Sequence, residues 1–139
     1  MKDNIIMEKI WEDSDLIELK IICKAEYIEA FQSCYIPIQF LEKVHNEINA
    51  YIDNSNQNCY LEFGKKTGNY TPAFSMDILK MDKLGHIKIE VDMEISDNDE
   101  RKHRCSFFIE SEIGLLEQFN NKLLKLEKDE IGNKIMLNG

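Results

Sequence analysis

Acidic side chains occupy every second position of one stretch, where Glu90, Asp92 and Glu94 alternate with apolar residues. The two-residue period predicts a β-strand with the carboxylates on one face and the apolar side chains on the other. Asp97 and Asp99 follow and extend the negative charge beyond this strand. An open face offers nothing to raise a carboxyl pKa for acid–base catalysis. The five acidic residues are therefore candidate partner-binding residues, with a merely solvated face as the alternative.

The other groups that could do chemistry lack the spacing that their chemistry requires. His45, His86 and His103 form no pair with metal-ligand spacing. Residues 64–68 lack the glycine spacing of a phosphate-binding loop, and residues 97–100 lack the central glycine and terminal glutamate of a calcium loop. We therefore expect no catalytic residue, no metal site and no cofactor, and we expect that the protein is not an enzyme.

The four cysteines, Cys23, Cys34, Cys59 and Cys105, form no Cys-x-x-Cys pair. Zinc binding and dithiol redox chemistry are therefore poor interpretations. Cys23 and Cys105 fall on the apolar side of predicted strands, where cysteine behaves as a small core residue. We expect free thiols.

Apolar periodicity along the chain predicts seven strands and two helices. The strands lie near residues 5–11, 17–23, 35–36, 59–63, 74–78, 87–95 and 105–109. Pro37 suits the first turn of a helix that ends near Ile52, and the apolar face of this helix is Ile38, Leu41, Val44, His45, Ile48 and Ile52. A second helix follows Ser111, which we expect to be its N-cap. The apolar stripe of the second helix is Leu116, Phe119, Leu123 and Leu126.

Short polar turns join the last four strands, which indicates an antiparallel meander, since parallel neighbours need long crossovers. The predicted fold class is α+β: two layers, with an antiparallel β-sheet of about six to seven strands and both helices packed on one face. A chain of 139 residues fits a single domain, residues 1–139. We expect an ordered core over about residues 5–128 and a fraying C-terminal tail at residues 129–139.

The charge balance of 17 basic and 26 acidic side chains gives a net charge of −9. This excess argues against nucleic acid or an anionic membrane as the partner and is compatible with a basic protein. No apolar run approaches the ~20 residues of a membrane span. Residues 1–12 lack the basic start and apolar centre of a signal peptide, so the expected location is cytoplasmic.

The order of the predicted elements forms a pattern that spans most of residues 16–127. An extended Ile36-Pro37 leads into a helix that ends near Ile52, and a glycine introduces the strand at residues 85–89. A final strand over residues 107–109 continues into Ser111-x4-Leu116-x2-Phe119-x3-Leu123. This pattern resembles the small WapI-like immunity proteins, which protect bacterial cells from the toxic C-terminal domain of a wall-associated, contact-dependent (polymorphic) toxin.

The resemblance implies a non-enzymatic cytoplasmic protein that binds and neutralises a cognate toxin domain, with no catalytic residues to carry over. The acidic excess agrees with a basic toxin domain as the partner. Two other classes remain open. An enzyme would need a concave pocket with convergent polar groups. A small regulatory or homo-oligomeric binding protein of unknown ligand would use the open sheet face or a strand edge. We expect a monomer or a weak homodimer.

Overall fold

Eight strands and two helices make up the computed structural model, which describes residues 3–54, 56–65, 72–96 and 102–139. The elements in chain order are β1 (Asn4–Glu12), β2 (Leu16–Ala25), β3 (Ile28–Pro37), α1 (Phe40–Asp53), β4 (Cys59–Lys65), β5 (Pro72–Ile78), β6 (His86–Ser96), β7 (Lys102–Glu112), α2 (Ile113–Lys128) and β8 (Lys134–Asn138). The predicted α+β class with antiparallel strands and two helices is confirmed. The strands form two four-stranded sheets, where the periodicity predicted one sheet of six to seven strands.

The first sheet has the strand order β3-β2-β1-β8, and every described pair in it is antiparallel. A bulge at Ile10 interrupts β1, so that Lys9 pairs with Leu19 but Trp11 pairs with Glu18. Lys9 points into the protein and Trp11 out of it, although the two residues share the same parity in the sequence. The extra residue of a bulge re-aims the side chains that follow it, which accounts for this reversal.

The C-terminal segment contradicts the expectation of a fraying tail. Residues 134–138 form β8, which pairs antiparallel with β1 from Asn4 opposite Asn138 to Glu8 opposite Lys134. Ile135 and Leu137 are buried in the hydrophobic core. The segment is ordered because it alternates between apolar and polar residues and finds the free edge of β1, which a local composition argument cannot foresee.

The second sheet has the order β4-β5-β6-β7 and is the antiparallel meander that the short turns predicted. Helix α1 stands in the chain between β3 of the first sheet and β4, the first strand of the second sheet. The predicted turns at residues 64–69 and 97–100 lie outside the described residues, apart from Gly64 and Lys65, which belong to β4.

Helix α1 begins at Phe40, three residues later than the proline signal predicted. Pro37 is the last residue of β3, and the backbone N–H of Ile38 donates to the carbonyl oxygen of Asp15 over 3.0 Å. Gln39 then turns the chain through the left-handed region at φ 75°. Leu41, Val44 and Ile48 of the predicted apolar face are buried, together with Tyr51, whereas Ile38 precedes the helix and is exposed.

The expectation that Ser111 caps α2 is wrong. Ser111 lies in β7, and its hydroxyl donates to the backbone carbonyl oxygen of Asn138 in β8 over 2.6 Å. Glu112 occupies the N-cap position without a side-chain cap. The serine therefore links the second sheet to the first sheet, since β7 and β8 belong to different sheets.

Lys9 closes the opposite end of α2 and is only 1% exposed. Its ammonium group donates to the carbonyl oxygens of Glu127 and Asp129 over 2.6 and 2.9 Å, and lies 2.7 Å from Glu12 Oε2. A cation at a helix C-terminus is favourable because the last carbonyl groups have no intrahelical partner. This contact ties β1 to α2.

One hydrophobic core joins both sheets and both helices. β3 lies against β4, β5 and β6, β2 lies against β7, and α2 packs on α1 and β8. Val91 is fully buried in this core, as the alternation of β6 predicted, and Phe119 belongs to the same cluster. Gln32 of β3 donates from its side-chain amide to the backbone oxygen of Glu94 in β6. The outward face of each sheet therefore lies on the side away from this shared core.

Candidate protein-binding face

The alternation of β6 places its acidic residues on the outward face of the second sheet. Ile87, Ile89, Val91 and Met93 are buried, while Glu90 and Asp92 are half-buried on the opposite side. Alternate residues of a strand are spaced by ~7 Å, which sets the separation of these carboxylates along β6. The predicted separation of apolar and acidic faces is confirmed for these residues.

A row of four outward side chains crosses all four strands of this sheet. The register places Tyr60 opposite Asp77, Asp77 opposite Glu90, and Glu90 opposite Phe108. Tyr60 and Phe108 are 55% and 51% exposed, which is high for large aromatic side chains. At ~4.8 Å between strands, the two rings stand about 14 Å apart with two carboxylates between them. We call these four residues the aromatic-acidic row.

The neighbouring row adds two more carboxylates, those of Glu62 and Asp92, beside the aromatic-acidic row. Glu62 pairs with Ser75, and Ser75 pairs with Asp92. The phenol of Tyr60 donates to Glu62 Oε1 over 3.0 Å, which holds the two outward side chains of β4 together. Acidic groups therefore extend over β4, β5 and β6, a wider area than the single strand that the sequence pattern indicated.

Arg104 of β7 forms ion pairs with two acidic residues of the neighbouring strand β6, Asp92 and Glu94. Its Nε lies 2.7 Å from Asp92 Oδ1, and one terminal nitrogen lies 3.6 Å from Glu94 Oε2. The side chain of Glu94 is buried, although it has the outward parity of Glu90. Of the predicted binding residues, Glu90 and Asp92 reach the open face and Glu94 does not. Asp97 and Asp99 lie outside the described residues.

Asp77, in the centre of the aromatic-acidic row, is partly shielded from water by its neighbours. Its Oδ1 is buried and has no hydrogen-bond partner within the described part of the chain. Burial raises the pKa of Asp77 above the ordinary aspartate value, because removing water disfavours the charged form. The charge of the partly desolvated Asp77, next to Glu90 on the neighbouring strand, favours a cationic group of a second protein against this face.

Comparison with known proteins finds no matching family model, no matching curated protein and no matching solved structure.

The three histidines stay apart. His45 of α1 has its Nδ1 2.8 Å from the carbonyl oxygen of Asn120, so it joins the two helices. His86 lies 3.1 Å from Asp82 Oδ2 in the turn before β6, and His103 is exposed on β7. Backbone N–H donation from His86 and Leu84 to Asp82 lowers the pKa of that carboxyl, which is a turn-forming contact. No group of potential metal ligands occurs among the described residues.

The cysteines lie in or against the core. Burial raises the pKa of Cys34 to about 12, with a smaller contribution from the charge of Glu18. Burial also raises the pKa of Cys59 to about 11 and shifts the pKa of Cys23 in the same direction. A raised thiol pKa keeps the nucleophilic thiolate scarce at neutral pH.

In the part of the chain with described structure, no helix is long and apolar enough to cross a membrane.

Sequence reasoning missed Asp77, Tyr60 and Phe108 as members of the site. Each has outward parity in its strand, which the alternation pattern could have revealed. Their juxtaposition with Glu90 follows from the register between strands, and that register depends on the turns and on long-range pairing. The pattern of β6 therefore identified site residues along that strand but not the residues that lie beside them on the neighbouring strands.

Proposed function

We propose that this chain is a non-enzymatic, cytoplasmic immunity protein that binds and neutralises a cognate basic toxin domain through the outward face of the second sheet. The single observation that carries the proposal is the aromatic-acidic row, in which Asp77 and Glu90 lie between the exposed rings of Tyr60 and Phe108. The resemblance to immunity proteins supplies the biological role, and the row supplies the chemistry of recognition.

The row suits a partner that presents arginine or lysine. Exposed tyrosine and phenylalanine can anchor an interface, and a guanidinium group stacks on their ring faces while it donates to a carboxylate. A cation that binds Glu90 also lies close to the partly desolvated Asp77, whose charged form it would stabilise. Binding of this kind needs no pocket, and occupation of the toxin's basic surface would block its access to an acidic substrate.

The acidic field also governs the rate of encounter. Charge complementarity accelerates association and selects partners more than it adds raw affinity, and salt weakens this effect. The net charge of −9 supports fast association with a basic domain at low ionic strength. The proposal therefore predicts a salt-dependent association rate that depends on this face.

The test uses the C-terminal domain of the protein encoded by the neighbouring gene, which the proposal predicts to be the toxin, and two matched charge variants. The face variant is Glu62→Lys with Glu90→Lys, and the control is Glu117→Lys with Glu130→Lys, whose side chains are exposed away from the second sheet. Both raise the net charge by the same amount. We expect the face variant to associate about tenfold more slowly at low salt, with a weaker salt dependence, while the control stays within about threefold of the parent.

Growth protection of cells that express the toxin domain supplies the functional measurement. The face variant should protect poorly and the control should protect like the parent, with unchanged melting temperatures for both. Failure of the parent to bind the toxin domain or to protect cells would overturn the proposed role. Equal association rates for the two variants would instead overturn the assignment to this face.

A further inference from the structure

An apolar row crosses the outward face of the first sheet. The register places Met136 opposite Ile6, Ile6 opposite Ile22, and Ile22 opposite Phe31. Phe31 is 60% exposed, Met136 is 38% exposed, and the two isoleucines are half-buried. Scattered apolar residues on a surface are ordinary, but a continuous apolar row over four strands marks an interaction surface.

A charged row runs beside the apolar row, two residues along each strand. Lys134 pairs with Glu8, Glu8 pairs with Lys20, and Lys20 pairs with Ser33. The ammonium group of Lys20 also lies 5.0 Å from the centroid of the Phe31 ring. The signs therefore alternate across the sheet, and the best electrostatic complement of this row is a row that alternates in the opposite order.

Aromatic side chains flank the charged row on its other side. Trp11 and Tyr35 meet edge to face over Glu18, with ring centroids 5.7 Å apart. Both rings are exposed, and the bulge at Ile10 is what turns Trp11 outward. The face thus contains an apolar row, a row of balanced charge and an aromatic pair, whereas the second sheet presents mostly carboxylates.

We infer that this face binds the same face of a second copy of the chain in a two-fold symmetric dimer. A two-fold axis that runs along the strands, between β1 and β2, brings β1 of one copy opposite β2 of the other. Each registered pair within the sheet then becomes a pair across the interface. Glu8 of one copy meets Lys20 of the other, Ile6 meets Ile22, and Met136 meets Phe31. An isologous interface requires this self-complementarity.

The charge pattern selects a second copy over a basic partner. Symmetry produces two Glu8–Lys20 pairs across the interface, while a uniformly basic surface would place cations against Lys20 and Lys134. Aligned sheets pack about 10 Å apart, which leaves room for the apolar rows to interdigitate. The dimer uses only the outward face of the first sheet, so the outward face of the second sheet is not part of the proposed interface. The inference is therefore independent of the proposed function.

The size of the face sets the expected strength. Four strands spaced by ~4.8 Å and about seven residues of ~3.3 Å each cover roughly 440 Å² as a flat area on each copy. The total of about 900 Å² lies among the small interfaces typical of transient complexes. We therefore expect reversible dimerisation with a dissociation constant of roughly 10–100 μM.

The first test measures the molar mass of the full chain by sedimentation equilibrium from about 5 to 500 μM. Salt of about 0.15 M limits the net repulsion between two acidic copies, since the Debye length is then ~8 Å. The expected result is a rise from 16.3 kDa towards twice that mass. Phe31→Ser should weaken the dimer at least tenfold, while Phe108→Ser, an equally exposed change on the second sheet, should not.

The second test exchanges the charges. Glu8→Lys alone places two lysines opposite each other at each charged contact, and Lys20→Glu alone places two glutamates there. Each variant should stay monomeric, yet an equimolar mixture should form a heterodimer, because every contact then joins opposite charges. Circular dichroism melts establish that both variants fold.

Three outcomes would overturn the inference. The parent could remain at 16.3 kDa up to 500 μM. The mixture of Glu8→Lys and Lys20→Glu could stay monomeric while the parent dimerises. Finally, Phe108→Ser could dissociate the dimer while Phe31→Ser leaves it intact, which would place the interface on the second sheet. None of these results depends on whether the chain binds a toxin domain.

Discussion

The two sheets share one core but differ in what they present to solvent. On the first sheet the outward charges of β1, β2, β3 and β8 balance, with Lys20, Lys24 and Lys134 against Glu8, Glu18 and Glu29. On the second sheet the described outward charges are predominantly acidic: Glu62, Asp77, Glu90, Asp92, Glu110 and Glu112 against Lys88 and Arg104. The inward side chains are alike because folding demands apolar burial there.

The difference shows that the outward-facing residues of each strand are the ones available for recognition. The inward-facing positions must be apolar because they form the core, so their residue types say little about binding partners. The outward parity is free, and here it separates a self-complementary surface from an acidic surface. The two faces therefore suit the two different partners that we propose: a second copy of the chain on the first sheet and a basic protein on the second.

The largest expected effect comes from breaking the core on which both faces rest. Val91→Asp buries a charge without a partner in the centre of the second sheet, since Val91 is fully buried. The penalty of several kcal/mol is comparable with the whole stability of a small domain. We expect an unfolded or insoluble product by circular dichroism and sedimentation. A variant that melts within a few degrees of the parent would contradict the assigned inward face of β6.

The next effect separates inward from outward charges within β1. Lys9→Met removes three polar contacts and leaves carbonyl oxygens at the end of α2 without their donor. We expect a loss of about 2–3 kcal/mol in the free energy of unfolding by urea titration, because the lost hydrogen bonds are charged and buried. Glu8→Gln, one residue earlier and outward, is the control and should cost less than about 0.5 kcal/mol. Equal losses for the two variants would refute this distinction.

The smallest effect on stability concerns the second sheet alone. Asp77→Asn should raise the melting temperature at pH 7 by about 1–2 °C, because it removes a partly desolvated charge. A raised carboxyl pKa destabilises the fold only where the group is ionised. The difference between variant and parent should therefore be smallest near pH 3 and grow as the pH rises through the pKa of Asp77.

The same variant sharpens the assignment of the acidic face. If Asp77 meets a cation of the partner, Asp77→Asn should weaken binding of the toxin domain about three- to tenfold while it stabilises the free protein. Glu117→Gln makes the same charge change on the exposed side of α2 and should leave binding unchanged. A stabilised variant that binds like the parent would remove Asp77 from the interface.

Local periodicity in the sequence was enough to predict strands, helices and the faces that they bury. Alternation along residues 87–95 predicted the strand and its two faces, and helical spacing predicted the apolar stripes that include Val44 and Phe119. These patterns suffice because a side chain's direction on a strand or helix follows from its position alone. The antiparallel order of β4 to β7 followed equally from short turns between the strands.

Only the tertiary structure decided which elements meet. β8 depends on the free edge of β1, the bulge at Ile10 turns Trp11 outward, and Ser111 donates to β8 where local pattern suggested a helix cap. Arg104 and the burial of Glu94 remove one predicted acid from the open face. The physical reason is common to all of these features. Strand register, strand order and sheet packing arise from contacts between residues distant in the chain. The alternation within one strand does not specify which strand pairs with it or in which register.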